Sequence, residues 1–244
     1  MERQKYIIGL VLLLSSSISL NASNKSEIYK AYINNNMKLW EKTIEQMNQQ
    51  KSKSEDFRIE LLNYQYGYIA WCIGNKKGTT AQRYIEQGET NMLVIEKTGA
   101  NASIVNSYKS AFYGYRIGLN PLKAPFIGPK SVACAKLAMK QDSTNPYGYI
   151  QYANSQFYMP AIFGGSKKIA LAYYKKAESL MWKNQEQIKE DWNYVSLLSM
   201  IAKTYTELND YKNAKAYYEK ILKIEPNFLW VKNELDPDLL KKIK

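Results

Sequence analysis

The residues that could do chemistry in this sequence are limited first by what is missing, since the chain contains no histidine. Without histidine there can be no Ser-His-Asp or Cys-His catalytic unit and no imidazole metal ligand. The run Gly128-Pro129-Lys130-Ser131 looks like the end of a phosphate-binding loop. Such a loop requires glycine directly before its lysine, and proline stands there, so we predict no nucleotide site.

A glycine pair offers a second place where an anion could bind. Gly164-Gly165 is followed by Ser166 and by two lysines, at the predicted start of a helix. The free backbone N–H groups of a helix start can hold an anion, but a serine-capped turn between two helices explains the same residues. The turn is the interpretation that this pattern favours.

Carboxylates and cysteines do not show the spacing of a catalytic or metal site. Acidic side chains are mostly mixed with lysine along helix faces, as at Glu178 and Glu186. Cys72 and Cys134 both lie in apolar helical stretches. They are either two separate core thiols, which we favour, or a disulfide that an oxidising compartment would permit. We therefore predict that the protein is not an enzyme and uses no cofactor and no metal.

Tyrosines are the last candidates for a functional site, because the chain has 21 of them. Tyr64 and Tyr68 share one face of a predicted helix, and Tyr149 and Tyr152 share another. Such faces could bind a peptide or a sugar in a groove, or they could pack the helices against each other.

The net charge of the chain is informative about binding partners rather than about the fold. Among its 244 residues, 34 are basic and 22 are acidic, and the formal net charge is +12. Only four of the basic residues are arginine, whereas proteins that read bases or grip phosphates favour arginine. A solvated lysine surface is therefore the favoured interpretation and a dedicated anionic partner is the alternative. We expect no nucleic acid partner.

The N-terminus has the pattern of a secretory signal peptide. Arg3 and Lys5 precede the apolar run from Tyr6 to Leu14, and small residues lead to a cleavage site expected after Ala22. The run is short for a membrane span, although an uncleaved anchor stays an alternative. The expected domains are a signal peptide at 1–22 and a helical repeat domain at 23–244, located in the periplasm or secreted.

Helical spacing dominates the rest of the chain. Apolar residues recur every three or four positions, and glycine, proline and asparagine separate the segments. Thr79 or Thr80, Asn101 and Ser166 are predicted to cap helices. The breaks divide the chain into five helical hairpins at about 26–50, 56–98, 102–141, 146–183 and 191–225, with a tail at 227–243. The predicted fold class is all-α: an α-solenoid of about five hairpins with a C-terminal capping helix.

An internal repeat supports the solenoid. Ala170, Tyr174 and Ala177 recur as Ala214, Tyr218 and Ile221, at an offset of 44 residues. Small residues at these places would let the two helices of a hairpin approach each other, and the aromatic ring would fill the space against the next hairpin.

This pattern resembles the tetratricopeptide repeat. Counted from Val195, the residues that fall on the family's positions are Leu198, Ile201, Ala202, Tyr205, Ala214, Tyr218 and Pro226. The preceding unit keeps its alanine and tyrosine pattern, but the segment 159–165 lengthens its turn. This turn, before an Ala-x-x-Tyr-Tyr helix, is similar to exported repeat proteins of Bacteroidetes-type bacteria. It is also similar to the helical periplasmic T component of tripartite transporters.

The resemblance implies a scaffold that binds a protein or peptide in the cell envelope. Its inner face would come from the first helix of each hairpin, with the candidate binding residues Tyr64, Tyr68, Tyr152, Ser155, Ser199 and Lys203. The residues expected to pack the repeats are Ala81, Ala170, Tyr174, Ala177, Ala202, Ala214 and Tyr218. The alternative is a solute-binding accessory of a transporter, with a ligand near Tyr152, Tyr158 and Gly165. Peripheral association with the envelope is compatible with either function.

Overall fold

The computed structural model describes residues 24–243, which form eleven α-helices and contain no strand. The helices are α1 (24–33), α2 (Met37–Gln49), α3 (Glu55–Gly74), α4 (Gly78–Glu96), α5 (Ala102–Leu119), α6 (Ala124–Gln141), α7 (Pro146–Tyr158), α8 (Lys167–Trp182), α9 (Trp192–Glu207), α10 (Tyr211–Ile224) and α11 (Asp236–Ile243). Short 3-10 turns lie at Pro121–Lys123 and Ala161–Phe163, and a π-helical turn lies at Val231–Leu235. The predicted signal peptide lies outside the described residues.

Consecutive helices pack as hairpins. Within the described residues, α3 packs on α4, α5 on α6, α7 on α8 and α9 on α10, and the connections within these pairs have three to eight residues. The pairs then stack through contacts of α2 with α3, α4 with α5, α6 with α7 and α8 with α9. The C-terminal α11 packs on α10. The predicted all-α solenoid of hairpins is therefore confirmed.

Helix starts follow the predicted caps only in part. The Ser166 hydroxyl oxygen accepts a hydrogen bond from the Ile169 N–H at 3.3 Å and caps α8. The prediction for Thr79 or Thr80 was wrong, because α4 already begins at Gly78 and no side chain caps it. Asn101 precedes α5 as expected but does not cap it. Its φ of 55° is left-handed, and its amide donates to Glu55 instead.

Small residues stand where the helices approach most closely. The predicted packing residues are all buried, namely Ala81, Ala170, Tyr174, Ala177, Ala202, Ala214 and Tyr218. Gly88 of α4 shows how tight one of these contacts is. A Cβ built there would lie 2.6 Å from the Phe112 ring of α5, so no larger residue fits without a shift of that ring.

The first hairpin also touches the segments that flank the last hairpin, which the linear order of hairpins does not require. The Lys25 ammonium of α1 donates to the Gln187 carbonyl at 3.2 Å, and the Tyr29 hydroxyl donates to Glu225 at 3.3 Å. The ring of Tyr32 lies 5.0 Å from that of Phe228, between centroids. The stack is therefore closed across its inner side.

Candidate binding surfaces

The inner face is filled by aromatic side chains from three hairpins. Trp192, the first residue of α9, is buried and donates its indole N–H to the Asn63 amide oxygen of α3 at 2.8 Å. Its ring centroid lies 5.1 Å from Trp40, 5.8 Å from Tyr32 and 6.0 Å from Tyr66. Edge-to-face and tilted pairs of this kind add to the stabilisation from burial. The place where a repeat solenoid would hold a ligand is therefore occupied by the chain itself.

Gly67 makes this arrangement possible. It lies on α3, beneath the two indole rings. A Cβ built there would be 2.6 Å from Trp40 and 2.7 Å from Trp192, so only glycine leaves room for both rings. The Trp40 indole N–H donates to the Tyr64 backbone carbonyl at 2.9 Å and holds α2 against the same turn of α3.

A small cavity remains beside the aromatic cluster. It measures about 30 Å³ and is lined by residues that include Tyr66, Tyr147, Asn154, Tyr174 and Ser196. A cavity of this volume has room for only about two water molecules. Burial raises the pKa of the three lining tyrosines, so their hydroxyls stay neutral. The cavity is too small for a peptide, a sugar or a planar cofactor.

Three of the six predicted binding residues are buried in helix contacts. The Tyr64 hydroxyl donates to Glu60 at 2.7 Å. Tyr68 packs edge-on against Tyr84 at 5.1 Å between ring centroids. The Ser199 hydroxyl donates to the Val195 carbonyl at 2.8 Å, within α9.

The other three predicted residues are half-buried and keep exposed atoms. Tyr152 packs on Tyr173 with centroids 4.5 Å apart. The Ser155 hydroxyl donates to a backbone carbonyl one helical turn earlier. The Lys203 ammonium lies 5.7 Å from the centre of the Trp230 ring, and burial lowers the pKa of this lysine. The six residues thus do not form one surface.

The glycine turn before α8 is a packed corner. A Cβ built at Gly165 would lie 1.8 Å from the Met159 carbonyl oxygen, so the turn doubles back tightly on itself. The Lys167 ammonium donates to the Phe157 carbonyl and lies over the Phe157 ring. These contacts and the cap account for Ser166 and Lys167, whereas Lys168 is exposed.

Sequence reasoning missed a second surface, which we name the loop edge. It consists of Leu122 in the α5–α6 connection, Phe126 at the start of α6, Tyr158 at the end of α7, and Ile162 and Phe163 in the α7–α8 connection. These are the five most exposed large apolar side chains among the described residues, with exposed fractions of 83%, 76%, 67%, 85% and 69%. Exposed apolar patches of this kind mark interaction sites more often than scattered surface residues do.

The loop edge lies in the part of the chain that carries most of the net charge. Between Glu96 and Glu178 the sequence has ten lysines and one arginine, but only one acid, Asp142. This stretch therefore accounts for +10 of the total of +12. The charge was visible in the sequence, but only the structure shows that these apolar residues are exposed.

The described residues show no arrangement suited to metal or thiol chemistry. No cluster of cysteine, aspartate and glutamate within 24–243 could hold a metal ion. Cys72 and Cys134 are free thiols rather than a disulfide, and burial raises the pKa of both. Over the same range, no helix is long and apolar enough to cross a membrane.

Comparisons with known proteins agree with this architecture. The tetratricopeptide repeat family matches residues 195–228, which contain most of α9 and all of α10. Among solved structures, the HusA haemophore from Porphyromonas gingivalis is similar, with a TM-score of 0.59 and 20% identity. That match covers 76% of this chain and 93% of the haemophore. No curated protein sequence matches the chain. The chain is thus a helical protein with one recognisable tetratricopeptide repeat, and it shares its fold with a haemophore.

Proposed function

We propose that this protein is an exported, non-catalytic scaffold that holds a protein or peptide partner in the cell envelope. The observation that carries the proposal is the stack of five hairpins with a tetratricopeptide repeat at 195–228. Stacked helical repeats present large surfaces for binding, and each repeat contributes to them. The absence of histidine from the sequence supports a role without catalysis.

Because the inner face is filled, the partner has to contact residues that keep exposed atoms. Tyr152 and Ser155 on α7 and Lys203 on α9 are the predicted binding residues that keep exposed atoms. Tyrosine is enriched at protein interfaces because it combines a large ring with one polar group. We assign the partner contact to these three residues.

A capture experiment tests the assignment. The chain lacking residues 1–22 is immobilised, and proteins retained from an envelope extract are identified by mass spectrometry. Tyr152→Ala and Lys203→Glu are expected to lower retention of a specific partner about tenfold each, as truncating a contact worth about 1.4 kcal/mol would. Tyr113→Ala and Lys212→Glu, which replace comparable residues elsewhere, serve as controls. Equal retention by all four variants would refute the assignment.

Export is a separate part of the proposal. The basic residues Arg3 and Lys5, the apolar run after them and Ala22 support cleavage of a signal peptide. Cell fractionation followed by N-terminal sequencing tests it directly. A mature N-terminus at residue 23 in the periplasm or the medium is the expected result, whereas an intact chain in the cytoplasm would contradict export.

Carriage of a small apolar solute is a second candidate function, which includes an accessory role in a transporter. It is favoured by the fold shared with a haemophore and by the exposed ring of Tyr158. We place the solute at the surface near Tyr152 and Tyr158, because the cavity of about 30 Å³ beside the aromatic cluster is too small for it and Gly165 is tightly packed. Titration with haem, followed by its absorbance, tests this candidate. A saturable spectral change that Tyr158→Ser weakens would support it, and an unchanged haem spectrum would remove it.

A further inference from the structure

We propose that the loop edge docks onto the surface of an anionic lipid bilayer, with its apolar side chains in the interface and the neighbouring lysines against the headgroups. This contact does not depend on the proposed function, since it uses other residues than the assigned partner contact. It makes the protein a peripheral membrane protein whose docking surface is one end of the helical stack.

The apolar side chains of the loop edge lie at the same end of the molecule. Since consecutive helices are antiparallel, α5 and α7 run in the same direction, and the connections that follow them emerge at the same end. α5 and α7, the first helices of these two hairpins, are in direct contact. The first buried residue of α6 is Ser131, so the turns of α6 that carry Phe126 stand free of the core. The five side chains therefore lie in, or directly next to, two connections at the same end of the stack.

Lysines surround these apolar residues. Lys123 and Lys130 flank Phe126, and Lys168 follows the connection that carries Ile162 and Phe163. All three lysines are exposed, and none of them has an ion-pair partner among residues 24–243.

A third connection adds charge at the same end. Lys76 and Lys77 lie in the α3–α4 turn and are exposed. This turn adjoins the end of α5, because a Cβ built at Gly78 would lie 3.7 Å from the Leu119 side chain. The single acid of the stretch 97–177, Asp142, lies in the α6–α7 connection at the opposite end of the stack.

This combination fits a bilayer better than a dissolved polyanion. Each lysine near an anionic membrane surface contributes about 1 kcal/mol of attraction, and the apolar side chains add their burial at the acyl boundary. A nucleic acid or a polysaccharide would use the charges but would leave Leu122, Ile162 and Phe163 in water. Protruding apolar tips with lysines around them are complementary to headgroups above an apolar layer.

Flotation with lipid vesicles tests the proposal. Vesicles of phosphatidylglycerol and phosphatidylcholine in equal parts are compared with vesicles of phosphatidylcholine alone. The chain from residue 23 onward is expected to float with the anionic vesicles, and the bound fraction should fall as salt rises from about 0.05 M to about 0.5 M. The full chain is assayed in parallel, because the apolar run Tyr6 to Leu14 could insert on its own.

Two sets of variants separate the apolar and the charged contributions. The first replaces Leu122, Phe126, Ile162 and Phe163 with serine, and its control is Leu93→Ser with Val94→Ser, two exposed apolar residues of α4. Both the loop-edge variant and its control replace exposed side chains, so the circular dichroism spectra of both should match that of the unmodified protein. We expect the loop-edge variant to lose at least about tenfold in partition coefficient, and the control to lose less than about twofold.

The second set reverses charge. Lys123→Glu, Lys130→Glu and Lys168→Glu are combined, and the control combines Lys212→Glu, Lys223→Glu and Lys232→Glu, which lie on α10 and in the C-terminal tail. Loss of flotation only in the first combination is expected. Equal loss in both would show an effect of net charge alone and would overturn the assignment. Equal flotation with and without anionic lipid, or none with either, would overturn it as well, whatever the capture experiment gives.

Discussion

Trp192 joins three hairpins across the inner face, so its removal tests whether the stack is closed there. The Trp192→Ala substitution deletes a ring that contacts Trp40, Tyr32 and Tyr66 and has an exposed fraction of only 6%. It also deletes the N–H donor to Asn63. The surrounding rings belong to separate helices, so they cannot all move into the space without disturbing their own contacts.

The expected cost follows from burial. Replacing a buried tryptophan by alanine lowers the free energy of unfolding by about 3–5 kcal/mol. The lost hydrogen bond adds little, because the Asn63 oxygen still accepts from the Asn193 amide at 3.1 Å. For a domain of this length, about 3–5 kcal/mol corresponds to a fall in Tm of about 6–20 °C. Trp192→Phe keeps most of the ring contacts and should cost about 1–2 kcal/mol.

Urea unfolding followed by circular dichroism measures both variants, and Trp182→Ala is the matched control. Trp182 ends α8 with an exposed fraction of 49%, so its truncation should cost about 1 kcal/mol or less. If Trp192→Ala and Trp182→Ala destabilise the protein equally, Trp192 does not hold the hairpins together and the closed inner face is incorrect.

Three further predictions concern single sites. Gly165→Ala should lower the free energy of unfolding by about 3 kcal/mol or more, because the added Cβ would overlap the Met159 backbone carbonyl. Gly164→Ala has open space for its Cβ but a left-handed φ of 94°, so it should cost only about 1–2 kcal/mol. Thermal unfolding of the two variants measures the difference. Burial alone would raise the pKa of Glu178, but hydrogen bonds from Lys220 and its neighbours hold that pKa below the ordinary value. Its stabilisation is therefore complete above the ordinary carboxyl pKa of about 4.3 and is lost as the pH falls through the lower folded value. Glu178→Gln should flatten the dependence of stability on pH in that window, measured by urea unfolding, and an unchanged dependence would contradict the assignment. Burial raises the pKa of Cys72 to about 11, so iodoacetamide at neutral pH should leave this thiol unmodified in the native protein and alkylate it only after unfolding, as mass spectrometry can show.

Local sequence signals were sufficient to predict the helices and their pairing. The hairpin boundaries follow from residues such as Gly99, Pro146 and Pro226, each of which lies at or just beyond a helix end. The alanines at 170 and 214 are buried where the repeat pattern expected helices to approach. These features depend on neighbours within a few residues, and for that reason a pattern along the chain can reveal them.

Closure of the inner face could not be predicted in the same way. Asn63 and Trp192 are 129 residues apart, and neither belongs to a repeat position that marks its partner. Tyr64 and Tyr68 were predicted on a binding face because a tyrosine that packs and a tyrosine that binds follow the same helical spacing. Gly67 was the one local signal, since a glycine inside a long helix often marks a close approach. The residues that approach it become known only from the fold.

Two features depart from a regular repeat solenoid: the long α7–α8 connection and the filled inner face. The α1–α2, α3–α4 and α9–α10 turns have three residues each, whereas the α7–α8 connection runs from 159 to 166. This longer connection places Ile162 and Phe163 in solvent, with exposed fractions of 85% and 69%. An inner face that is filled with aromatic rings stabilises the stack and leaves no groove for a partner. Binding therefore depends on residues outside the filled inner face, and the loop edge is where such residues are apolar, exposed and flanked by lysines.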